Sequence, residues 1–149
     1  MIPIPLNKTN KKIALKPGVT TFILSEEKIQ NLVPALTYQV YVVELSKRVF
    51  TENNKFRAAN PQFNGVLECL YVGMTCKTPQ ERLMQHKTGY RNKKGYKLSA
   101  NIVEKYGRYL RPSLYDHINS KPMNRQEALL MEEKLAWDLR RQGYAVWFN

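Results

Sequence analysis

Two adjacent glutamates, Glu132 and Glu133, lie in the longest helical pattern of the sequence. At about 100° per residue, one face of that helix carries the apolar side chains of Ala128, Met131, Leu135, Ala136 and Leu139. Glu132 falls inside this apolar arc, and Glu133 falls well outside it. A carboxylate on a core-facing stripe is costly unless a cation or hydrogen-bond donors satisfy it. Glu132 therefore needs a partner such as a divalent metal ion, a buried arginine or a neighbouring surface cation, whereas Glu133 is an ordinary surface acid.

Arg82 and His86 occupy positions i and i+4 of another predicted helix, so they share one of its faces. An arginine can bind a phosphate through two parallel hydrogen bonds. A histidine is the side chain best suited to moving a proton near neutral pH. The pair matches phosphate chemistry, although two solvated residues on an exposed face would show the same spacing.

Tyr41 and Tyr71 stand within two otherwise aliphatic runs that predict strands. Packing in the core or on the surface is the usual role of a tyrosine in a strand. Gly73, just after the second run's tyrosine, permits a close approach of the backbone or a special turn. Taken alone, these three residues do not select one chemistry.

Taken together and in this order, the motifs resemble the GIY-YIG nuclease superfamily. They are the runs Gln39–Val43 (QVYVV) and Leu70–Thr75 (LYVGMT), the helix with Arg82 and His86, the run Ala128–Glu132 (ALLME), and the final Asn149. The resemblance covers residues 37–149. It departs from the family at Gln39, where the first motif has a glycine, and in the long separation of the two tyrosine motifs by residues 46–65. Such an insertion is similar to what some restriction-type members contain.

The resemblance implies a metal-dependent endonuclease that hydrolyses DNA phosphodiester bonds by the attack of water. Glu132 would bind one Mg²⁺ or Mn²⁺, since Mg²⁺ commonly uses only one or two protein carboxylates. The metal would polarise the scissile phosphate and stabilise the leaving oxygen, and Arg82 would clamp the phosphate. Tyr41 would help to deprotonate the attacking water, Tyr71 would position Tyr41 or the phosphate, and His86 would relay a proton or hold Tyr41.

The tyrosine chemistry can follow two routes. The pKa of an unperturbed tyrosine is about 10, so a phenolate at neutral pH costs roughly 4 kcal/mol. Two nearby cations, Arg82 and the metal ion, would offset much of that cost. A neutral Tyr41 that passes its own proton to His86 while it accepts one from water asks less of the electrostatics, and we favour this route. Asn149 would fix the local geometry.

The charge of the chain predicts a polyanionic partner. Its 149 residues include 24 Lys and Arg against 12 Asp and Glu, a formal net charge of +12. Basic surfaces bind phosphate backbones because binding releases counterions. DNA is the expected partner, and RNA presents the same phosphates. Besides the basic N-terminal extension, the candidate contact residues are Arg48, Lys55, Arg57, Lys87, Arg91, Lys93, Lys94 and Lys97.

Cysteine use and hydropathy bear on the compartment. Cys69 and Cys76 form no CxxC pair and the two histidines are far apart, so we expect no structural zinc site. Two ordinary thiols in a reducing compartment are favoured over a disulfide. No window contains the roughly 18 consecutive apolar residues of a membrane span, and Met1–Leu6 lacks the apolar core of a signal peptide. A cytoplasmic protein without a membrane partner is expected.

The elements that must position these residues follow from local patterns. Residues 1–36 are expected to form a basic extension, irregular up to residue 24 and helical after the cap Ser25. In the nuclease-like domain, 37–149, strands at 37–45 and 66–72 would pair as a hairpin around a long inserted loop, 46–65. Further elements are helices from the caps Thr78 and Asn124 to Gly89 and Gly143, a short helix closed by Gly107, a break at Pro112 and a last strand, 144–149. This order predicts an α/β (α+β) fold with a small mixed or antiparallel sheet flanked by helices.

Three other functions fit parts of the pattern. A nucleic-acid-binding module without catalysis would keep the charge and the fold, but the near-complete catalytic set argues against it. A nuclease acting on RNA, or a toxin, would show the same charge. A small ribosome-associated protein seldom needs a carboxylate on a core stripe, so Glu132 disfavours it. The short chain leaves little room for a separate recognition domain, which favours a compact or homodimeric enzyme.

Overall fold

The computed structural model describes residues 10–13, 22–25, 36–89 and 101–149. The chain divides into two compact units, Met1–Leu36 and Thr37–Asn149. In the first unit, strand β1 (Asn10–Ile13) pairs antiparallel with strand β2 (Phe22–Ser25). The expectation of an irregular segment up to residue 24 is therefore wrong at these strands, where pairing supplies the backbone hydrogen bonds that an isolated segment lacks. The helix expected after Ser25 lies outside the described residues.

The second unit is built on a four-stranded mixed sheet. Its strands are β3 (Gln39–Leu45), β4 (Cys69–Thr75), β5 (Gly107–Leu110) and β6 (Ala145–Phe148). The strand order is β5-β3-β4-β6, with β3 antiparallel to both neighbours and β4 parallel to β6. The predicted pairing of β3 with β4 is confirmed. β4 begins at Cys69 rather than at Val66, whose side chain is 72% exposed.

Helices flank this sheet, and the predicted α+β class is confirmed. Those in the described part of the unit are α1 (Arg48–Glu52), α2 (Asn54–Ala59), α3 (Pro79–Thr88), α4 (Asn101–Tyr106) and α5 (Arg125–Gln142). The two longest begin with the predicted reciprocal caps. The Thr78 hydroxyl accepts the Glu81 amide at 3.1 Å, and the Asn124 side chain accepts the Glu127 amide at 2.8 Å.

Glycines end both long helices, as predicted. Gly89 follows α3 with φ 66°, and Gly143 follows α5 with φ 114°, a left-handed conformation that favours glycine. Between β5 and α5 the chain forms two 3-10 turns, Pro112–Leu114 and Ile118–Ser120. The predicted break at Pro112 is therefore confirmed. Across the described ranges, no helix combines the length and the apolar composition needed to cross a bilayer.

The segment 46–65 is not the long loop that its polar sequence predicts, because it contains α1 and α2. Each of these short helices buries one apolar side chain completely, Val49 in α1 and Phe56 in α2. Asn53 caps α2, since its side chain accepts the Phe56 amide at 2.9 Å. Asparagines favour loops in isolation, but they are also good helix caps when the helix can pack against a core.

The strands' alternation assigns the helices to the two faces of the sheet. Tyr41 of β3 and Tyr71 of β4 lie on one face, where His86 of α3 contacts both rings. Phe148 of β6 lies on the other face and packs edge-on against Trp137 of α5. α3 and α5 therefore cover opposite faces.

Two asparagine side chains complete the edges of the sheet. Asn60 binds both backbone groups of Val146 in β6, since Oδ1 accepts the amide at 2.7 Å and Nδ2 donates to the carbonyl at 3.1 Å. Asn119 binds the amide and carbonyl of Val40 in β3 in the same manner, at 2.9 and 2.8 Å. Arg140 of α5 also donates to Asn60, at 3.2 Å, and to the Val146 carbonyl, at 2.7 Å. Each asparagine thus takes the place of a neighbouring strand.

We expect Asn60→Ala to lower the free energy of unfolding by about 3 kcal/mol, because it removes the bond partners of a buried amide and a buried guanidinium. Urea unfolding followed by circular dichroism would measure this. Asn54→Ala is the matched control: Asn54 is exposed and its side chain binds only Arg57 among the described residues. A similar loss in both variants would contradict the role assigned to Asn60.

Candidate active site

A cluster of side chains meets on the face of the sheet that α3 covers. The Tyr41 hydroxyl lies 2.7 Å from Nε2 of His86, and this hydrogen bond is buried. The Tyr71 ring centroid lies 6.1 Å from that of Tyr41 and 5.4 Å from that of His86. The register of β3 and β4 brings the tyrosines together, because Tyr41 pairs with Gly73 and Tyr71 pairs with Val43.

Only glycine fits at position 73, because the two tyrosine rings leave no room for a side chain there. A Cβ atom built on Gly73 would lie 2.6 Å from the Tyr41 hydroxyl oxygen and 2.9 Å from Cε2 of Tyr71. Real Cβ atoms do not make contacts this short, so any larger residue would displace the two rings. Of the two uses of this glycine that the sequence leaves open, the structure selects the close approach.

α3 carries Arg82 and His86 into the cluster on one helical face. The Arg82 guanidinium lies near the Tyr41 hydroxyl, where its positive charge opposes the rise in the pKa of Tyr41 that burial causes. The same guanidinium donates to Oε1 of Gln85 at 3.2 Å. Gln85 is absent from the candidates derived from sequence, although its i+3 spacing from Arg82 is a signal that could have identified it.

Asn149 enters the cluster from the end of β6. Its Nδ2 donates to the Tyr71 hydroxyl at 2.9 Å. The parallel pairing of β6 with β4 places Trp147 beside Tyr71 and Phe148 beside Val72. Asn149, the residue after β6, therefore lies beyond the position paired with Tyr71, where its side chain can contact the Tyr71 hydroxyl.

Glu132 is buried, with 4% of its surface exposed, whereas Glu133 on the next position of α5 is exposed. The predicted difference between the two glutamates is confirmed. The Glu132 carboxylate accepts a hydrogen bond from the Met74 amide. β6 pairs with β4 only as far as Val72, so the Met74 amide lies on a β4 edge that no strand covers in the described part of the unit. The partner that Glu132 required is thus, in part, a backbone amide.

Burial controls the protonation of the cluster. Desolvation raises the pKa of Tyr41 far above its ordinary range and that of Tyr71 to about 12, so both remain neutral phenols at physiological pH. Desolvation, followed by repulsion from Arg82, lowers the pKa of His86 to about 3, so its imidazole is neutral. Desolvation raises the pKa of Glu132 to about 7, although the Met74 amide opposes this.

Within the cluster, the Glu132 carboxylate is the side chain suited to bind a metal ion. No group of three or more His, Cys, Asp or Glu side chains suited to a metal occurs in the ranges 36–89 and 101–149. A buried carboxylate with a raised pKa and one amide donor has acceptor capacity to spare. That donor set suits a hard cation that keeps most of its water ligands, such as Mg²⁺.

Of the basic residues predicted to contact nucleic acid, those that the structure describes lie outside this cluster. Arg48 is exposed and pairs with Glu52 at 3.1 Å. Arg57 donates to the Phe50 and Thr51 carbonyls at 2.8 and 3.0 Å, which links α2 to α1. Lys55 and Lys87 are exposed. The other four, Arg91, Lys93, Lys94 and Lys97, lie outside the described residues.

The cluster therefore joins two neutral tyrosines, a neutral histidine, an arginine, an asparagine and a buried glutamate. No protein-family model, no curated protein and no solved structure matches this chain. Groups that exchange a proton beside a fixed guanidinium and a carboxylate suit the hydrolysis of a phosphate ester.

We expect the raised pKa of Glu132 to stabilise metal-free protein by an amount that is lost as pH rises. The difference between wild type and Glu132→Gln isolates this amount from the opposite contribution of the lowered His86 pKa. Between pH 4.5, the ordinary pKa of a glutamate, and about 7, the folded state keeps a proton that the unfolded state has released. This contribution to stability is complete below pH 4.5 and is lost as pH rises through 7, by on the order of 2 to 3 kcal/mol. Glu132→Gln should lack this loss, and Glu133→Gln should retain it. Chemical unfolding in EDTA across this pH range checks it, and parallel pH profiles of wild type and Glu132→Gln would contradict it.

Proposed function

We propose that the protein is an endonuclease of the GIY-YIG type that hydrolyses DNA phosphodiester bonds by the attack of water. The observation that carries the proposal is the buried 2.7 Å hydrogen bond between Tyr41 and His86, with the positive charge of Arg82 near the same tyrosine hydroxyl. Two neutral proton-exchanging groups in contact, next to a permanent cation, are the arrangement that water attack on an anionic ester needs.

The proton relay uses neutral groups. In the imidazole tautomer with hydrogen on Nδ1, the Tyr41 hydroxyl donates to Nε2 of His86. As water attacks phosphorus, its proton moves to the Tyr41 oxygen, and the proton of Tyr41 moves to Nε2. The new O–P bond forms while the opposite P–O bond breaks, and the leaving oxygen takes a proton from solvent. The strongly raised pKa of Tyr41 favours this route over a free phenolate.

Arg82 would hold the scissile phosphate. Its charge is permanent, and its bond to Gln85 limits the orientations of the guanidinium. A phosphate held there would also change the relay, because its negative charge favours the protonated form of His86. The substrate would thereby offset part of the burial effect that lowers the histidine pKa.

Glu132 would hold one Mg²⁺ or Mn²⁺. The bound ion would polarise the phosphate and stabilise the leaving oxygen. Glu132 is suited to this because its carboxylate is buried near the Tyr71 hydroxyl, whose pKa it raises, and because its Met74 partner is fixed in β4. Asn149 and Gly73 act on position only, by holding the hydroxyl of Tyr71 and leaving room for both rings.

DNA is the proposed substrate because the chain carries a net charge of +12 and the proposed reaction takes place at a phosphate ester. Phosphodiesters of RNA differ by the 2′-hydroxyl, so digestion of DNA and RNA side by side tests this choice. We also propose the cytoplasm as the compartment, where the thiols of Cys69 and Cys76 remain reduced.

We expect Tyr41→Phe to reduce the nicking of supercoiled plasmid in Mg²⁺ by at least about 100-fold, because the proton relay loses its hydroxyl. Binding of DNA should stay close to that of wild type, since phosphate contacts by Lys and Arg remain. Agarose gels would measure nicking, and fluorescence anisotropy would measure binding. Tyr144→Phe is the matched control, because Tyr144 lies outside the cluster. Nicking by Tyr41→Phe at the wild-type rate would overturn the assignment.

We expect Mg²⁺ to raise the melting temperature of wild type and of Glu133→Gln, and to leave that of Glu132→Gln unchanged. A ligand that binds only the folded state stabilises it, by an amount that grows with the logarithm of its concentration relative to its Kd. Differential scanning fluorimetry with and without Mg²⁺ measures this independently of cleavage. In the same set, nicking should be lost in Glu132→Gln and retained in Glu133→Gln. Equal behaviour of the two variants would show that the carboxylate on the apolar face has no special role.

A further inference from the structure

Basic side chains gather around strand β5, at the edge of the sheet. Lys87 of α3 donates from Nζ to the Gly107 carbonyl at 3.2 Å. Nζ of Lys105 in α4 lies 5.3 Å from the centroid of the Tyr106 ring, and Arg108 is the next residue of β5 after Gly107. Lys87, Lys105 and Arg108 are all exposed. We call these three residues the β5 basic patch.

A bulge in β5 displays Arg108. In the pairing with β3, Tyr109 is opposite Glu44 and Gly107 is opposite Leu45, which leaves Arg108 as the extra residue. Bulges often occur beside functional sites, where they change the direction of a side chain. The Arg108 guanidinium carbon lies 5.8 Å from the Tyr109 ring centroid, a contact that leaves its positive charge available.

In the part of the chain that the structure describes, Lys87, Lys105 and Arg108 form no salt bridge. Within the described residues, the acids that form salt bridges bind other cations than these three. Glu52 binds Arg48 at 3.1 Å and the Tyr106 hydroxyl at 2.8 Å, and these bonds, with a smaller contribution from the charge of Lys105, lower its pKa. The second acid beside the patch is Glu104 of α4.

The patch includes a residue of the helix that carries Arg82 and His86. Lys87 follows His86 in α3, and its bond to the Gly107 carbonyl ties the end of that helix to β5. We propose that the β5 basic patch binds the sugar-phosphate backbone of duplex DNA to one side of the bond that is cut. This inference rests on the proposed nuclease function, because that function supplies the partner. The contacts of the β5 basic patch with the backbone would position the DNA strand without distinguishing one base sequence from another.

The other role open to these cations is protection of a sheet edge. β5 is the outermost strand, and charged side chains on such strands prevent pairing with other chains. Protection predicts that neutral variants self-associate while their affinity for DNA stays the same. The proposal predicts the converse, so one set of variants separates the two roles.

The test is the binding of a short fluorescent duplex DNA by the full chain in EDTA, followed by anisotropy from about 50 to 200 mM salt. For Lys105→Gln/Arg108→Gln we expect weaker binding and a log–log salt slope smaller by about 1.8, since each phosphate contact contributes about 0.9. Both side chains are exposed, so the melting temperature should stay close to that of wild type.

Lys134→Gln/Arg141→Gln is the matched control, since it removes the same charge from two exposed positions of α5. Its salt slope should equal that of wild type. An unchanged slope in the patch variant, or an equal decrease in the control, would overturn the proposal. Binding is measured without metal, so these outcomes are separate from a failure of the nuclease proposal, which plasmid nicking by wild type would reveal.

Discussion

The antiparallel register of β3 and β4 is the constraint on which the candidate site depends. It sets Tyr41 opposite Gly73, two positions from Tyr71, so both rings project from one face and the space between them is free of a third side chain. A slip of one residue would turn Tyr41 to the opposite face and place a side chain where the glycine now lies. The side chains that α3, α5 and the end of β6 supply to the site lie around the two tyrosines that this register brings together.

Burial then decides what the assembled groups can do. Both tyrosines and His86 are held in their neutral forms, and Arg82 remains as the permanent charge beside them. In the proposed reaction, an anionic ester bound near Arg82 would change the protonation of these groups, because the pKa of each group depends on its neighbours' charges.

Local signals predicted the parts of the fold that local energetics control. The capping boxes at Thr78 and Asn124 and the terminal glycines bound their helices where the sequence places them, because a cap and a left-handed residue act within one turn. The segment 46–65 behaves differently. Its polar composition predicts a loop, but burial of Phe56 and the bonds of Asn60 to β6 stabilise helices there. Contacts between residues so far apart in the chain cannot be recognised from the composition of a short sequence segment.

The sequence by itself determined that Glu132 faces the core and Glu133 does not, and that Arg82 and His86 share a face, because the helical repeat is a local geometric property. It also determined the large positive charge. Tertiary structure alone decided that Tyr41 meets His86, that Asn149 reaches Tyr71, and that the Met74 amide partners Glu132. These contacts join residues far apart in the chain, and they exist only because strand register and helix packing fix side-chain positions more finely than any periodic pattern does.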